Sequence, residues 1–308
     1  MRTTLTRRTW MSSAAAVLGT AALAGEESLN SIWRPNYILS SALYGTATLP
    51  EILPEVAKTG ATSIDLWPQP HGTQREEIES RGVEQVQQLL EKHDVRLGGI
   101  ACYRPGAFKL DSEFAVARQL GDSETVLVTM APGDSTFSGK SLDAAIRAFL
   151  SKLSPAIKLA EAGAGVIAIE NHSNSLLNSP ESIRRFTALL ESDRVGIALA
   201  PHHLPQDGNL LADLAGNAGS AVKFVYAQQY GHGSSEKLPK EKELLQLPGR
   251  GSLDFGPLMR QLAEMQFAGP VEIFMHPVPR GVPILNSIAE ITAAIRAARV
   301  YLDELLAS

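Results

Sequence analysis

The chain has 308 residues, 44% of them hydrophobic and 20% charged, and a net charge of −5 at neutral pH. An acidic chain lacks the excess of Lys and Arg that neutralises phosphates, so nucleic acid is excluded as an expected partner. Cys102 is the only cysteine, which excludes an intramolecular disulfide. Because nothing around it marks a lowered thiol pKa, we interpret it as a small buried hydrophobic residue rather than a nucleophile.

The first 24 residues predict a cleaved export signal. They combine three arginines and no acidic residue with a small-residue apolar run over 12–24 that ends in an Ala-x-Ala-like site. The run is too short to span a bilayer, which takes about 20 residues. The pair Arg7-Arg8 is typical of a twin-arginine signal, and an ordinary secretory signal or an uncleaved tail are the alternatives. We expect a periplasmic protein of residues 25–308, with a net charge of −8 and no stable membrane insertion after cleavage.

Eight short apolar segments of strand length follow: Tyr37–Gly45, Ser63–Trp67, Arg96–Tyr103, Thr125–Ala131, Val166–His172, Val195–Ala200, Ala221–Gln229 and Pro270–Pro277. Between them the apolar residues are spaced near 3.6, as in helices, most clearly in Arg81–Lys92, Ser141–Ala162, Ser179–Leu190, Phe255–Gln266 and Ser287–Leu306. Strands that alternate with helices pair in parallel through crossovers. The pattern therefore predicts an α/β fold, a single (β/α)₈ TIM barrel over residues 25–308, with a doubly wound sheet as the alternative.

Three of these strands turn polar or aromatic residues toward the barrel interior. Alternation along the second, fifth and eighth strands directs seven side chains inward: Asp65, Trp67, Glu170, His172, Glu272, Phe274 and His276. Barrel enzymes carry their chemistry at the carboxyl ends of the strands. We therefore expect a functional site where these strands end.

The end of the fifth strand, Ile167–His172, carries the strongest motif. An inward Glu170 beside Asn171 and His172 can hold a divalent cation or move a proton. The alternative is a core glutamate paired with an arginine, or a surface loop.

Other candidates follow the last three strands. A bend at Pro201 would direct one of His202 and His203 into the site, although a structural histidine is an equal alternative. The segment from Gln228 to Arg250 is long for a loop, and such loops often bind ligands. Arg250 lies between two glycines and would reach an anionic or hydroxyl-rich ligand, or belong to a plain turn before a helix capped by Asp254. In the eighth segment, two prolines would hold His276 and Arg280 in fixed positions.

Taken in order along the chain, these motifs resemble the sugar phosphate isomerase/epimerase family, the xylose isomerase-like TIM barrels, which also include endonuclease-four-type enzymes. The resemblance rests on Ile169–His172, on Pro201–His203 and on the glycine-containing turn Gly249–Phe255. The segment Glu272–Leu285 resembles an exported bacterial branch of the family. The family implies a TIM barrel that acts on sugars.

The resemblance also implies one divalent metal, which family members commonly bind through Glu, Asp, His and Glu at the ends of strands five to eight. Glu170 matches the first position, whereas the other three positions carry Ala200, Gln228 or Gln229, and Phe274. Glu272 is two residues deeper than the fourth position, about 7 Å at the usual strand rise.

Because three of the family's ligand positions lack the usual residue, a metal (Zn, Mn, Fe or Co) would need a rearranged ligand set of Glu170, His203 and His276. His203 also matches the substrate-contacting histidine of the family.

We therefore expect an exported enzyme of the isomerase, epimerase or keto-sugar lyase kind that abstracts a proton next to a sugar carbonyl. Glu170, His203 and His276 are the expected catalytic residues. The expected substrate-binding residues are Asp65, Trp67, Tyr103, Asn171, His172, Gln228, Arg250 and Arg280. The ligand would be a small sugar or sugar derivative, and a homo-oligomer is compatible with the sequence. The alternative is a sugar-binding barrel that has lost its metal and its activity, while the acidic charge and the export signal disfavour a DNA-repair endonuclease.

Overall fold

The structure, a computed structural model, describes residues 33–230 and 234–307, so the predicted export signal lies outside the described residues. Eight parallel strands pair in chain order, and β8 pairs with β1, which closes the barrel. The strands are β1 Asn36–Ser40, β2 Ser63–Leu66, β3 Arg96–Ala101, β4 Val126–Met130, β5 Val166–Glu170, β6 Val195–Leu199, β7 Val222–Ala227 and β8 Pro270–Ile273. The predicted (β/α)₈ barrel is confirmed.

Helices connect the strands and pack around the barrel. They are α1 Leu49–Thr59, α2 Gln74–Arg81, α3 Val83–Lys92, α4 Asp111–Leu120, α5 Gly139–Leu159, α6 Pro180–Ala188, α7 Gly208–Ala218, α8 Lys240–Glu243, α9 Gly256–Glu264 and α10 Ile288–Glu304. Among the described residues, no helix is both long and apolar enough to cross a membrane.

Local signals in the sequence explain where several helices begin. Ser179 precedes α6, where its hydroxyl accepts a hydrogen bond from the Ser182 amide and Pro180 fills the first helical turn. Asp207 caps α7 in the same way, through the amides of Asn209 and Leu210. These caps satisfy amides that have no partner within the helix.

Several predicted boundaries differ from the structure, and the predicted eighth strand Pro270–Pro277 ends as β8 at Ile273. The segment predicted as the strand Tyr37–Gly45 leaves the sheet at Ser40 and continues as a 3₁₀ turn. The predicted helix Arg81–Lys92 begins only at Val83, because Gly82 has a positive φ of 85° that separates α2 from α3. Asp254 is not the N-cap of α9, although its side chain does accept a hydrogen bond from the amide of Gly256.

Candidate functional site

A cavity of about 790 Å³ opens at the carboxyl end of the barrel. Its walls come from the loops that follow β5, β6, β7 and β8, the position at which barrel enzymes hold their substrates. The titratable side chains of its described lining are His172, His202, His203, Tyr230, His276 and Arg280. Hydroxyl and amide groups, including those of Ser234 and Gln206, supply most of the remaining polar lining. The cavity therefore suits a polar small molecule.

Glu170 lies at the end of β5 beside His203, which follows β6. Nε2 of His203 is 3.7 Å from Oε1 of Glu170, slightly longer than a hydrogen bond, and both side chains are about nine-tenths buried. The turn Pro201–His203 bends the chain so that His203 faces this carboxyl. The bend predicted at Pro201 is present, and it places an imidazole of the cavity lining beside the Glu170 carboxyl group.

The Glu170 carboxyl is tuned for proton exchange near neutral pH. Burial raises its pKa to about 7, and a hydrogen bond from the Tyr103 hydroxyl lowers it in part. A carboxyl group with a pKa near the working pH can both accept and return a proton. This carboxyl therefore has the properties of a general acid/base.

The imidazoles of the cavity are held neutral. Burial lowers the pKa of His203, and the neighbouring His172 and His202 and the positive charge of Arg280 lower it further. Burial and Arg280 likewise lower the pKa of His276 well below its usual value. A neutral imidazole carries one N–H donor and one acceptor. Near neutral pH these groups therefore supply hydrogen bonds rather than charge.

His203 and His202 have different surroundings, although they are adjacent in sequence. The His203 ring lies against that of His172, with centroids 4.0 Å apart. His202 instead pairs its Nδ1 with the carbonyl of Gln229 at 3.0 Å and its Nε2 with the hydroxyl of Ser234 at 3.1 Å. Because both ring nitrogens of His202 are engaged, it positions the β7 loop, and His203 is the better candidate for chemistry.

Below the cavity an aromatic cluster fills the barrel. Trp67 stacks on Phe274 with centroids 4.7 Å apart and planes inclined by 12°, and Tyr103 lies 5.3 Å from Trp67. The hydroxyls of Tyr103 and Tyr226 are 3.0 Å apart. Trp67 is almost fully buried, so it supports the site from below instead of offering an open face to a sugar ring.

Asp65 and Glu272 meet deeper in the barrel, and neither is exposed. The Trp67 and Ser40 side chains are the neighbouring donors, and a hydrogen bond between the two carboxyl groups requires one of them to carry a proton. Burial raises the pKa of Asp65 to about 7 and that of Glu272 well above its usual value. Gly99 makes room for this pair, because a Cβ there would be 2.8 Å from an Asp65 oxygen. Asp65 therefore belongs to the barrel interior and does not line the cavity.

Two predicted substrate-binding residues have their amide groups engaged by the protein. The Asn171 side chain donates to the carbonyl of Ala200 at 2.9 Å and accepts from the amide of the same residue at 2.8 Å. Gln228 donates to Oε1 of Gln246 at 2.8 Å. The first contact ties β5 to the end of β6, and the second anchors the long loop after β7, so both are structural in this arrangement.

Gln246 also fixes the exit of β8. Its Oε1 accepts from the backbone amide of His276 at 3.0 Å, and its Nε2 donates to the carbonyl of the same residue at 2.9 Å. This pairing orients the His276 ring, whose Nδ1 is buried with no hydrogen-bond partner among the described residues.

The two predicted arginines have different positions. Arg280 is half-buried, lines the cavity and donates to the carbonyl of Pro277 at 2.9 Å. Arg250 is exposed and is not part of the described cavity lining. The structure therefore brings together His172, His203, His276 and Arg280, with Glu170 beside them.

Sequence reasoning missed His71 and Gln246. The His71 ring lies 5.1 Å from Trp67 and 5.2 Å from His276, and burial followed by the charge of Arg280 lowers its pKa to about 4. Its place just after β2 is the available sequence signal, since polar residues that follow barrel strands cluster at one face. For Gln246 no such signal exists, because only the folded loop shows which backbone groups it meets.

The described residues do not fit the metal site that the family resemblance implies. Ala200 has no donor atom, the Gln228 amide is engaged by Gln246, and the ring of Phe274 stacks on Trp67. Within residues 33–230 and 234–307, no three or more His, Cys, Asp or Glu side chains form a group that could hold a metal ion. The rearranged set of Glu170, His203 and His276 is therefore not assembled as a metal centre.

Residues 53–299 match the family model of the xylose isomerase-like TIM barrel, and the chain belongs to that family. A search of curated protein sequences finds no match.

Solved structures share the fold at low identity. Protein SMc04130 from Sinorhizobium meliloti 1021 aligns with a TM-score of 0.63 and 19% identity over 85% of this chain and 96% of its own. A zinc-bound IOLI protein aligns with a TM-score of 0.64 and 17% identity over 88% and 98% of the two chains. D-Psicose 3-epimerase from Clostridium cellulolyticum H10, solved with D-tagatose, aligns with a TM-score of 0.60 and 15% identity over 88% and 99%. At these identities the similarity establishes the shared barrel.

Proposed function

We propose that this chain is a carbohydrate-active enzyme of the isomerase, epimerase or keto-sugar lyase kind, which moves a proton next to a sugar carbonyl. The observation that carries the proposal is the pair of Glu170 and His203, 3.7 Å apart, with His203 in the lining of a polar cavity. A carboxyl group with a pKa near 7 and a neutral imidazole are the two parts that such a reaction needs.

In the first step the Glu170 carboxylate takes a proton from the carbon next to the carbonyl. The electron pair of the broken C–H bond forms a C=C bond, and the carbonyl oxygen gains negative charge. The neutral His203 imidazole donates a hydrogen bond to that oxygen and stabilises the enediolate. The Tyr103 hydroxyl, which hydrogen-bonds to Glu170, favours the ionised form of the base.

The second step decides the product. In an isomerase the protonated Glu170 returns its proton to the neighbouring carbon. In an epimerase the opposite face of the same carbon takes a proton from solvent, and Glu170 releases its own proton to solvent. In a lyase the electron pair expels a leaving group from the adjacent carbon. All three outcomes use the same first step, so one test covers the class.

The similar structures support a sugar as the ligand. Two of them are named as D-psicose 3-epimerases, one solved with D-tagatose and one with D-fructose. The IOLI structure contains zinc, but the residues of this chain do not fit the family's metal ligands, and the steps above involve protein groups alone.

We further propose that the protein is exported to the periplasm. The support is the basic start with Arg7-Arg8 followed by a small-residue apolar run. Export favours a sugar or keto-sugar over a metabolite confined to the cytoplasm. Expression with and without residues 1–24, followed by cell fractionation, tests this localisation.

The test of the activity compares wild-type protein with Glu170→Gln and His203→Gln on a panel of ketoses and keto-sugars, with products followed by NMR. Loss of a general acid/base lowers kcat by about 100- to 10,000-fold, and we expect that loss for Glu170→Gln with little change in KM. Glu161→Gln, an exposed glutamate on the outer surface, is the matched control. Sugar binding without turnover by the wild-type protein would instead support a non-catalytic sugar-binding barrel.

A further inference from the structure

Arg280 is the only residue with a permanent positive charge in the described lining of the cavity. Its side chain is half-buried, and burial lowers its pKa. It donates a hydrogen bond to an uncharged acceptor, the carbonyl of Pro277. Across residues 33–230 and 234–307, no carboxylate forms an ion pair with this guanidinium.

The rest of the cavity lining does not compensate this charge. The described lining contains histidine, serine, asparagine and glutamine side chains and no Asp or Glu. Glu170 lies next to His203, and its pKa is set by burial and by Tyr103, without a contribution from Arg280. A charge removed from water is costly unless it is paired. The cavity therefore contains a cation that lacks its counter-ion.

The charge of Arg280 also affects the pKa of the neighbouring imidazoles. Arg280 lowers the pKa of His172, His202, His203 and His276, so its field reaches all four histidines of the described lining. These neutral rings add hydrogen-bond donors for oxygen atoms without adding negative charge. An anionic ligand would meet attraction here and no repulsion from the described lining.

We propose that the cavity selects sugars that carry a carboxylate, which pairs with Arg280. The planar guanidinium offers two parallel N–H donors to such a group, which a lysine or a histidine does not. The histidine and serine groups then bind the hydroxyls of the sugar. This proposal specifies the substrate class and rests on the proposed function only for the reaction that follows binding.

The test is calorimetric titration of the full chain with matched pairs of ligands that differ in one group. The pairs are D-glucuronate and D-galacturonate against D-glucose and D-galactose, with the corresponding 6-phosphates as the second arm. We expect the uronate of at least one pair to bind about tenfold more tightly than its neutral counterpart. A preference for the uronates supports the proposal, whereas a preference confined to the 6-phosphates contradicts it.

Arg280→Gln is expected to abolish this preference, and Arg280→Lys to retain part of it, because lysine keeps the charge but loses the paired donors. Arg118→Gln is the matched control, an exposed arginine on α4 that removes the same charge from the protein. Thermal unfolding of each variant checks the fold, and the ligand preference of the wild-type protein stands as a test even if Arg280→Gln fails to fold. The proposal is overturned if no uronate binds more tightly than its neutral counterpart, or if a folded Arg280→Gln keeps the preference.

The result separates this proposal from the proposed function. Tight binding of an acid without turnover would support the anion site and contradict the catalytic role of Glu170. Glu170-dependent turnover of neutral sugars, with no preference for acids, would support the catalytic role and contradict the anion site.

Discussion

Glu170→Gln should make the folded protein more stable at alkaline pH, even though it removes the proposed catalytic group. The carboxyl has a pKa of 4.5 in an open chain and about 7 in the folded barrel, because burial disfavours its charged form. The stability that this raised pKa contributes is present below pH 4.5 and is lost as the pH rises toward 7. Glutamine resembles the protonated acid and does not titrate.

The magnitude follows from linkage at about 1.4 kcal/mol for each pKa unit. Relative to acid conditions, the wild-type protein loses about 1 kcal/mol at pH 5.5 and about 3 kcal/mol at pH 8.5 through this one group. Glu170 is only 7% exposed, so solvent screens this cost little. The buried histidines titrate alike in both proteins, and their contributions cancel in the difference to first order. The variant should therefore gain about 2 kcal/mol over wild type between these two pH values.

Urea unfolding at pH 5.5 and 8.5, followed by circular dichroism, measures this difference. Glu161→Gln serves as the control, since it removes the same charge from an exposed position. If the free energies of unfolding of wild type and Glu170→Gln change in parallel with pH, the carboxyl titrates normally and the reasoning about its burial is wrong.

Three further predictions concern the supports of the site and its metal content. Asn171→Ala should lower the free energy of unfolding in urea by about 3 kcal/mol, because two buried backbone groups of Ala200 lose their partners. A cost equal to that of Asn217→Ala, at an exposed position, would contradict the structural role of Asn171. Tyr103→Phe should move the pH–rate profile of Glu170 to higher pH, since its hydroxyl lowers that pKa; an unchanged profile would show that the hydrogen bond does not act on the base. Elemental mass spectrometry of the purified protein should find well below one equivalent of Zn, Mn, Fe or Co, and a stoichiometric metal would contradict the misfit of these residues to the family's metal site.

The sequence was sufficient to predict the barrel and the residues that face its interior. Eight apolar segments separated by helical periodicity predict the closed sheet, and alternation within the second and eighth strands places Asp65 and Glu272 on the inward side. That information is local, because a side chain's face depends on its position within its own strand. The carboxyl ends of parallel strands meet at one face, so the closeness of Glu170 and His203 also follows from the pattern.

Contacts that depend on strand register and loop path were not predictable in the same way. Asn171 was expected to bind substrate, but the pairing of β5 with β6 places it beside the backbone of Ala200, which engages both ends of its amide. Arg250 and Arg280 were equivalent candidates in the sequence. Only the folded loops show that one is exposed and the other lines the cavity.

Solvent deuterium exchange tests directly whether Glu170 moves a proton at the carbon next to a sugar carbonyl. The protein is incubated in D₂O with each ketose and keto-sugar of the panel, and loss of the C–H signal is followed by proton NMR. We expect the wild-type protein to incorporate deuterium. In Glu170→Gln the exchange should be at least 100-fold slower, which is about the effect of removing one acid/base group. The absence of exchange with every wild-type substrate, or exchange at the wild-type rate in Glu170→Gln, would contradict it.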